Sequence, residues 1–300
     1  MDTIIITPVR NEEKYVKNTI ECMLKQTKQP KKWIIVNDGS TDNTENIILE
    51  SILKCHFIKY IRLDDRGYRK PGQGVVETFN VGLASLQNES YDVIAKFDAD
   101  IEFPIEMIEK IEMAFKNDIK LGITGPTEWM QHVKSGTYKQ VIVPKNFVGG
   151  PHKFYRRECY EAIGGLIKRA GWDGVDTIKA NMAGWKTMEL KNVQVYHLKS
   201  AGSSGGEGIR KACEKYGDVS YYMGGYFWYF ILRVIGRSIE SKDIMVGYYM
   251  ILGYINSHKN KLDREGLEFR NFLKNQQIEN IKYYIGIFFN KVWRKSRVSA

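Results

Sequence analysis

Four short apolar runs, each followed by a helical pattern or a turn that opens one, constrain this chain most. Residues 3–7, 33–36, 57–61 and 91–95 have the length and β-branched content of buried strands. Between them Val16, Ile20, Met23, Leu24 and Thr27 share one helix face, bounded by Pro30. Residues 41–45 open a second helix, with Asp42 and Glu45 at capping-box spacing. Gly72-Gln73-Gly74 precedes a third, carrying Val75, Val76, Phe79, Leu83 and Leu86. Strands alternating with helices predict an α/β fold with a mostly parallel sheet and right-handed crossovers. Ligands of such sheets bind beyond the carboxyl ends of the strands. Three polar clusters are expected at such ends: residues 8–12, where Pro8 should break the first strand, residues 37–40 and residues 98–100.

The last cluster, Asp98-Ala99-Asp100, carries the sharpest chemistry. Residues one apart in a strand point to the same side, so two carboxylates face one another. They are tolerated where a divalent cation or a sugar hydroxyl takes the charge. Mg²⁺ and Mn²⁺ prefer carboxylate oxygens and bridge them to phosphates. Arg66, Arg69 and Lys70 precede Gly72, and a basic, glycine-containing loop before a helix suits a diphosphate as well as it suits solvent. A dinucleotide domain would need Gly-x-Gly-x-x-Gly after the first strand. Thr7-Pro8-Val9-Arg10-Asn11 has no glycine.

Ile5-Ile6-Thr7-Pro8-Val9-Arg10-Asn11-Glu12, Val36-Asn37-Asp38-Gly39-Ser40-Thr41-Asp42 and Asp98-Ala99-Asp100 stand in order at spacings that resemble the inverting family 2 glycosyltransferases. The resemblance covers about residues 3–200. It implies a GT-A, Rossmann-like fold: a mostly parallel mixed sheet flanked by helices. It also implies a metal-dependent hexosyl-type transferase using Mn²⁺ or Mg²⁺. Thr7, Pro8, Val9, Arg10, Glu12 and Asp38 would then hold the nucleotide. Arg69, Lys70 and Gly72 would hold the diphosphate. Asp98, with Ala99, would face the ribose and the metal, and Asp100 would bind the metal.

An inverting transfer also needs a base near the acceptor hydroxyl. Counting back from Gly184 along the helix that follows Gly171-Trp172-Asp173-Gly174-Val175-Asp176 places the family's base on Asp173. Trp172 stands where the family carries Glu, which leaves Asp176 as a rival. Either acid could instead serve the helix start. Gly149, Gly150, His152 and Trp172 are the expected acceptor side. His197 ends the strand at 193–197, where some GT-A enzymes place a third metal ligand. Residues 200–208, rich in Ser and Gly, suit a loop closing over the donor.

Of the formal charge of +10, +7 lies in residues 233–300, where 13 Lys and Arg face 6 Asp and Glu. An acidic surface is the implied partner. Residues 219–232 and 244–257 are charge-free and aromatic, but each is shorter than the roughly twenty residues that span a bilayer. They suit helices buried against the protein, forming a dimer seam, or lying on an anionic membrane. The four cysteines are far apart, and no basic stretch leads into an apolar run at the start. A cytoplasmic protein, peripheral on the inner membrane face, is the expectation.

The expected organisation is a catalytic domain at 1–217, with a nucleotide-sugar half at about 1–100 and an acceptor half at about 101–217. A helical extension follows at 218–300. The expected partners are a nucleotide-sugar donor, with UDP the expected nucleotide, and a glycan or lipid-linked acceptor in cell-surface polysaccharide synthesis. Nucleic acid is not expected. Two other readings share the layout: a sugar nucleotidyltransferase, which would want a glycine-rich basic loop after the first strand, and a catalytically inactive glycan-binding module, which would not need Asp98, Asp100 and Asp173.

Overall fold

The apolar runs become β1 (Thr3–Val9), β2 (Lys32–Asp38), β3 (Ile58–Leu63) and β4 (Val93–Phe97). They lie in the order β3-β2-β1-β4, all parallel, with Val9 opposite Asn37 and Ile6 opposite Lys96. Helices α1 (Val16–Leu24), α2 (Thr44–Ile52) and α3 (Gln73–Ala84) make the crossovers. The carboxyl ends of β1, β2 and β4 therefore share one edge. The computed structural model describes residues 1–298 except 54, 69, 71, 88, 132–135 and 200–207, and side chains as far as residue 282.

Alternation with period two sorts these strands onto two faces. Ile5, Trp33, Ile35, Ala95 and Phe97 pack with Val16, Ile20 and Met23 on one side. Ile4, Ile6, Ile34, Val36 and Ile94 pack with Val76 and Phe79 on the other. Pro8 does not end β1. Pairing with β4 stops at Ile6, so Pro8 lies where β1 has a partner on one side only, and a missing N–H is tolerated there. Nor is there a capping box on α2. Asp42 Oδ1 accepts from Thr44 N (3.0 Å), while Glu45 accepts from the Tyr60 hydroxyl (3.1 Å).

Further along come β5 (Ile101–Glu102), α4 (Met107–Asn117), β6 (Leu121–Gln131), β7 (Tyr138–Gln140), β8 (His152–Arg156), α5 (Arg157–Ala162), α6 (Trp172–Met182) and β9 (Lys186–His197). They extend the sheet to β3-β2-β1-β4-β8-β6-β9-β5, with β7 on β6. β8 runs antiparallel to both β4 and β6, so the second half of the sheet is mixed.

By contact the chain divides into units Met1–Gly206 and Glu207–Ala300. The second holds α7 (Gly208–Met223), α8 (Phe227–Ser241), α9 (Ile244–Lys259) and α10 (Leu267–Val298). The expected boundary at 217/218 falls inside α7, which runs unbroken through it. Cys213, Phe230, Val234 and Met250 form this unit's core. Among the described residues, no helix is long and apolar enough to cross a membrane.

Helices α7 and α9 touch backbone to backbone. A Cβ built on Gly253 would lie 2.0 Å from the Glu214 carbonyl oxygen, and one on Gly217 would lie 2.0 Å from that of Met250. Gly253→Leu should cost about 1–3 kcal/mol in urea unfolding, the scale of overpacking. Gly236→Ala on α8, which meets open space, should be neutral or stabilising. Equal stability of Gly253→Leu and wild type would contradict this packing.

Candidate active site

The end of β9 is clipped onto the acid pair. Ile101 pairs with His197, and Leu198 N donates to the Asp100 carbonyl at 2.8 Å. Asp98 N in turn donates to the Pro151 carbonyl (2.8 Å) just before β8. These backbone bonds bring residues a hundred positions apart to one point. His197 Nε2 lies 3.1 Å from Asp100 Oδ1, and Nδ1 lies 3.0 Å from Glu128 Oε1 on β6. One donor atom each from Asp98, Asp100 and His197 falls within 4.8 Å of the others.

The electrostatics follow from crowding. Burial alone would lower the His197 pKa, but bonds to Asp100 and Glu128 overcome it and hold the ring up at about 10. Burial would raise Asp100, yet its bond to His197 leaves it below the usual carboxylate range. Glu128 is likewise lowered by His197 against the effect of burial. Asp98 is pushed up, by loss of water first and by Asp100 as well, against the opposing charge of Lys96.

Two carboxylates and an imidazole are a donor set that suits Mn²⁺ or Mg²⁺. Glu128 on Nδ1 turns Nε2 toward the acids, the usual outer support of a histidine ligand. The residues present fit such an ion.

On the nucleotide side, Asp38 ends β2 and accepts from Arg66 through its carboxylate. The Arg10 guanidinium donates to the Asp38 carbonyl and to Asp65 Oδ1 (2.5 Å). Arg66 and Lys70 also meet Glu77 Oε2, at 3.2 and 3.5 Å. Gly72 has φ +80°, and a Cβ there would lie 2.6 Å from Ala170 Cα. Glu12 takes Lys199 Nζ on both oxygens, at 2.6 and 2.8 Å. Lys199 also contributes to the lowering of Asp100. Arg69 lies outside the described residues, as do residues 200–207 of the expected closing loop.

Other expected contacts turn inward. Thr7 Oγ1 is buried and accepts from Trp33 Nε1 (2.9 Å), and Val9 packs in the core. Pro8 is half-buried beside them. Ala99 is buried, and its carbonyl accepts from Thr19 Oγ1 at 2.9 Å. These residues offer backbone rather than side chain.

Of the residues expected on the acceptor side, Asp173 stands in the first turn of α6, half-buried. A Cβ on Gly150 would lie 3.2 Å from its Oδ2, and one on Gly149 would lie 3.2 Å from Glu128 Oε2. Any side chain at Gly150 would thus press against the Asp173 carboxylate. Trp172 is buried, with Lys96 Nζ 5.3 Å and Lys153 Nζ 5.9 Å from its ring centroid. His152 is corrected. It is fully buried on β8 with neither ring nitrogen hydrogen-bonded, and burial lowers its pKa to about 4. It does not face an acceptor.

Asp176 is buried with both oxygens engaged. Lys153 Nζ donates to Oδ1 at 2.6 Å and the Tyr155 hydroxyl donates to Oδ2 at 2.5 Å. Lys153 is itself fully buried and also donates to Thr177 Oγ1 (2.9 Å) and the Asp173 carbonyl (2.5 Å).

Glu128, Lys96, Lys153 and Lys199 were not singled out from sequence. The two strand lysines carried a signal, since each interrupts an otherwise apolar run (Val93-Ile94-Ala95-Lys96-Phe97 and His152-Lys153-Phe154-Tyr155). A buried lysine needs a fixed acid.

The sheet order with its flanking helices is that of the GT-A fold, and a pair of acids, a histidine and flanking cations stand at its edge. Residues 4–139, a little under half of the chain, match the model of glycosyl transferase family 2. The poly-β-1,6-N-acetyl-D-glucosamine synthase of Staphylococcus epidermidis is 34% identical over 120 residues, 38% of this chain and 26% of that protein. The glycosyltransferase GlyG of Streptococcus pneumoniae is 25% identical over 118 residues, 39% of this chain and 37% of that protein. The chain thus spans only 26–37% of the length of these curated relatives.

Among solved structures, S. aureus TarS 1–349 in complex with UDP-GlcNAc superposes with TM-score 0.53 at 19% identity, covering 73% of this chain and 66% of that one. The Pyrobaculum calidifontis mannosyltransferase PcManGT, in complex with GDP-Man and Mn²⁺, gives 0.52 at 14%, covering 73% and 61%. At such identities the likeness is one of fold.

Asp176→Asn would leave the Lys153 charge buried without a counter-charge. It should destabilise the fold by about 3–5 kcal/mol, the cost of breaking a buried pair, seen as a lowered thermal midpoint. A midpoint equal to wild type would contradict the buried pairing.

Proposed function

We propose that the chain is an inverting, metal-dependent glycosyltransferase. It moves a hexosyl unit from a nucleoside-diphosphate donor, UDP-linked, to a hydroxyl of a glycan or lipid-linked acceptor in cell-surface polysaccharide synthesis. The observation that carries this reading is the convergence of Asp98, Asp100 and His197 at the edge where β1, β2 and β4 end. The acceptor is placed at the inner face of a membrane, a reading supported by the positive charge of residues 233–300. Donor-bound TarS and Mn²⁺-bound PcManGT support the donor and metal by analogy of fold.

In this reading Asp38 accepts from the base or ribose, and Arg66, which meets the Asp38 carboxylate, serves the diphosphate. Arg10 and Lys70 keep positive potential along the same edge, and Lys199 holds it beside Asp100. A divalent cation bound by Asp98, Asp100 and His197 would neutralise charge on the departing diphosphate. Asp173 takes the proton of the acceptor hydroxyl. That oxygen forms the new bond to the anomeric carbon while the carbon–oxygen bond to the diphosphate breaks, leaving its electron pair on phosphate oxygen. Gly150 leaves space beside the Asp173 carboxylate. Asp176, with both oxygens engaged, is left to hold the fold.

Asp100→Ala should abolish Mn²⁺-dependent UDP binding, and Asp98→Ala should weaken it, by calorimetry. Unchanged UDP affinity in Asp100→Ala would remove the metal assignment. Asp173→Asn should keep UDP binding and lose transfer by about a hundredfold or more, the scale of a general base. An active Asp173→Asn enzyme would show that another group takes the proton. Release of free sugar from the donor, tested in the same assay, separates a transferase from an inactive glycan-binding module.

A further inference from the structure

Helix α8 is apolar on two faces, and among the described residues only one of them is covered. Phe230 and Val234 point into the core of their unit with Cys213 and Met250. Trp228, Leu232, Ile235 and Ile239, at i, i+4, i+7 and i+11, form a second stripe on the solvent side. They are 45, 52, 50 and 72% exposed. Ile244 and Met245, in the first turn of α9, are 80 and 42% exposed and follow in sequence just past the Lys242 turn. An apolar row of this length on a helix surface marks an interaction site.

The flanks identify the partner. Aromatic rings cluster at the start of the row, where Trp228 stacks on Tyr226 (5.5 Å) and meets Tyr229 edge-on (5.9 Å). Rings with a polar tip favour the boundary between headgroup and hydrocarbon. Exposed Lys242 closes the row, whereas Arg237 turns to the Tyr216 ring (5.6 Å) and to Glu240 (3.4 Å). Residues 207–300 hold 16 Lys and Arg against 9 Asp and Glu. A second copy would bring this charge against itself, whereas an anionic surface complements it. At 15 residues, α8 is about 22 Å long, suited to lying in the interface plane and too short to span it.

We infer that the outer face of α8, with the start of α9, is the surface by which this chain docks on an anionic lipid bilayer. Leu232, Ile235 and Ile239 enter the acyl boundary, and Lys242 engages headgroup phosphates. This deepens the membrane reading above, and a vesicle assay without donor separates its failure from failure of the transfer chemistry.

The experiment is flotation of the full chain with phosphatidylglycerol-containing vesicles and with neutral phosphatidylcholine vesicles, at low and high salt. The variant is Leu232→Ser/Ile235→Ser/Ile239→Ser, three exposed positions, checked for an unchanged thermal midpoint. Wild type should float with anionic vesicles at low salt. Binding should fall at least tenfold in the variant, on neutral vesicles and at high salt. Wild type remaining soluble at low salt overturns the inference, and this arm needs no variant. So does a folded variant that floats as well as wild type. A wild-type dimer that the variant splits, with neither binding vesicles, assigns the face to a second copy instead.

Discussion

The ring of His197 between Asp100 and Glu128 is the interaction on which the rest of the site depends. Three carboxylates, those of Asp98, Asp100 and Glu128, crowd a region poor in water. Without a cation they would repel one another and the site would open or protonate. The imidazole bridges two of them, and Lys96 meets the third. The backbone makes this arrangement obligatory, because β5–β9 pairing and the Leu198–Asp100 bond leave His197 no other place. A ring fixed by Glu128 on one nitrogen offers the other to whatever cation the acids attract.

Beneath that edge lies a second charged layer. Lys96 and Lys153, paired across β4 and β8, both meet the Trp172 ring, one reaching toward Asp98 and the other toward Asp176. Lys153 also holds the first turn of α6 by its bond to the Asp173 carbonyl. The Asp173 carboxylate is thus carried on a helix start pinned from below by a buried cation. The Trp172 indole has a physical use here, since it accommodates both ammonium groups. Gly149 and Gly150, between Glu128 and Asp173, leave room where any side chain would crowd both acids.

Much of this was legible in sequence where a local rule applies. The parallel β1–β4 core follows from period-two apolar runs alternating with helical ones, and the acid pair at the end of β4 follows from the same pattern. His197 could be suggested only by its place after the α6 segment, because its contacts come from strand pairing across a hundred residues. Glu128 was invisible for that reason, since nothing near it in the chain reveals its partner. Asp173 and Asp176 are chemically alike in sequence and differ only in what surrounds them. His152 misled because a histidine after two glycines looks exposed, whereas pairing with Phe97 takes it into the interior. Pro8 misled because a proline stops a strand only where its N–H is needed.

The central claim is that Asp98, Asp100 and His197 form one cation site serving a nucleoside diphosphate. Electron spin-echo spectra of the Mn²⁺ and UDP complex test it directly. The account predicts a nitrogen coupling that is lost in His197→Gln, together with phosphorus couplings from the diphosphate. Spectra of Mn²⁺ with water alone, or a nitrogen coupling that survives His197→Gln, would contradict it.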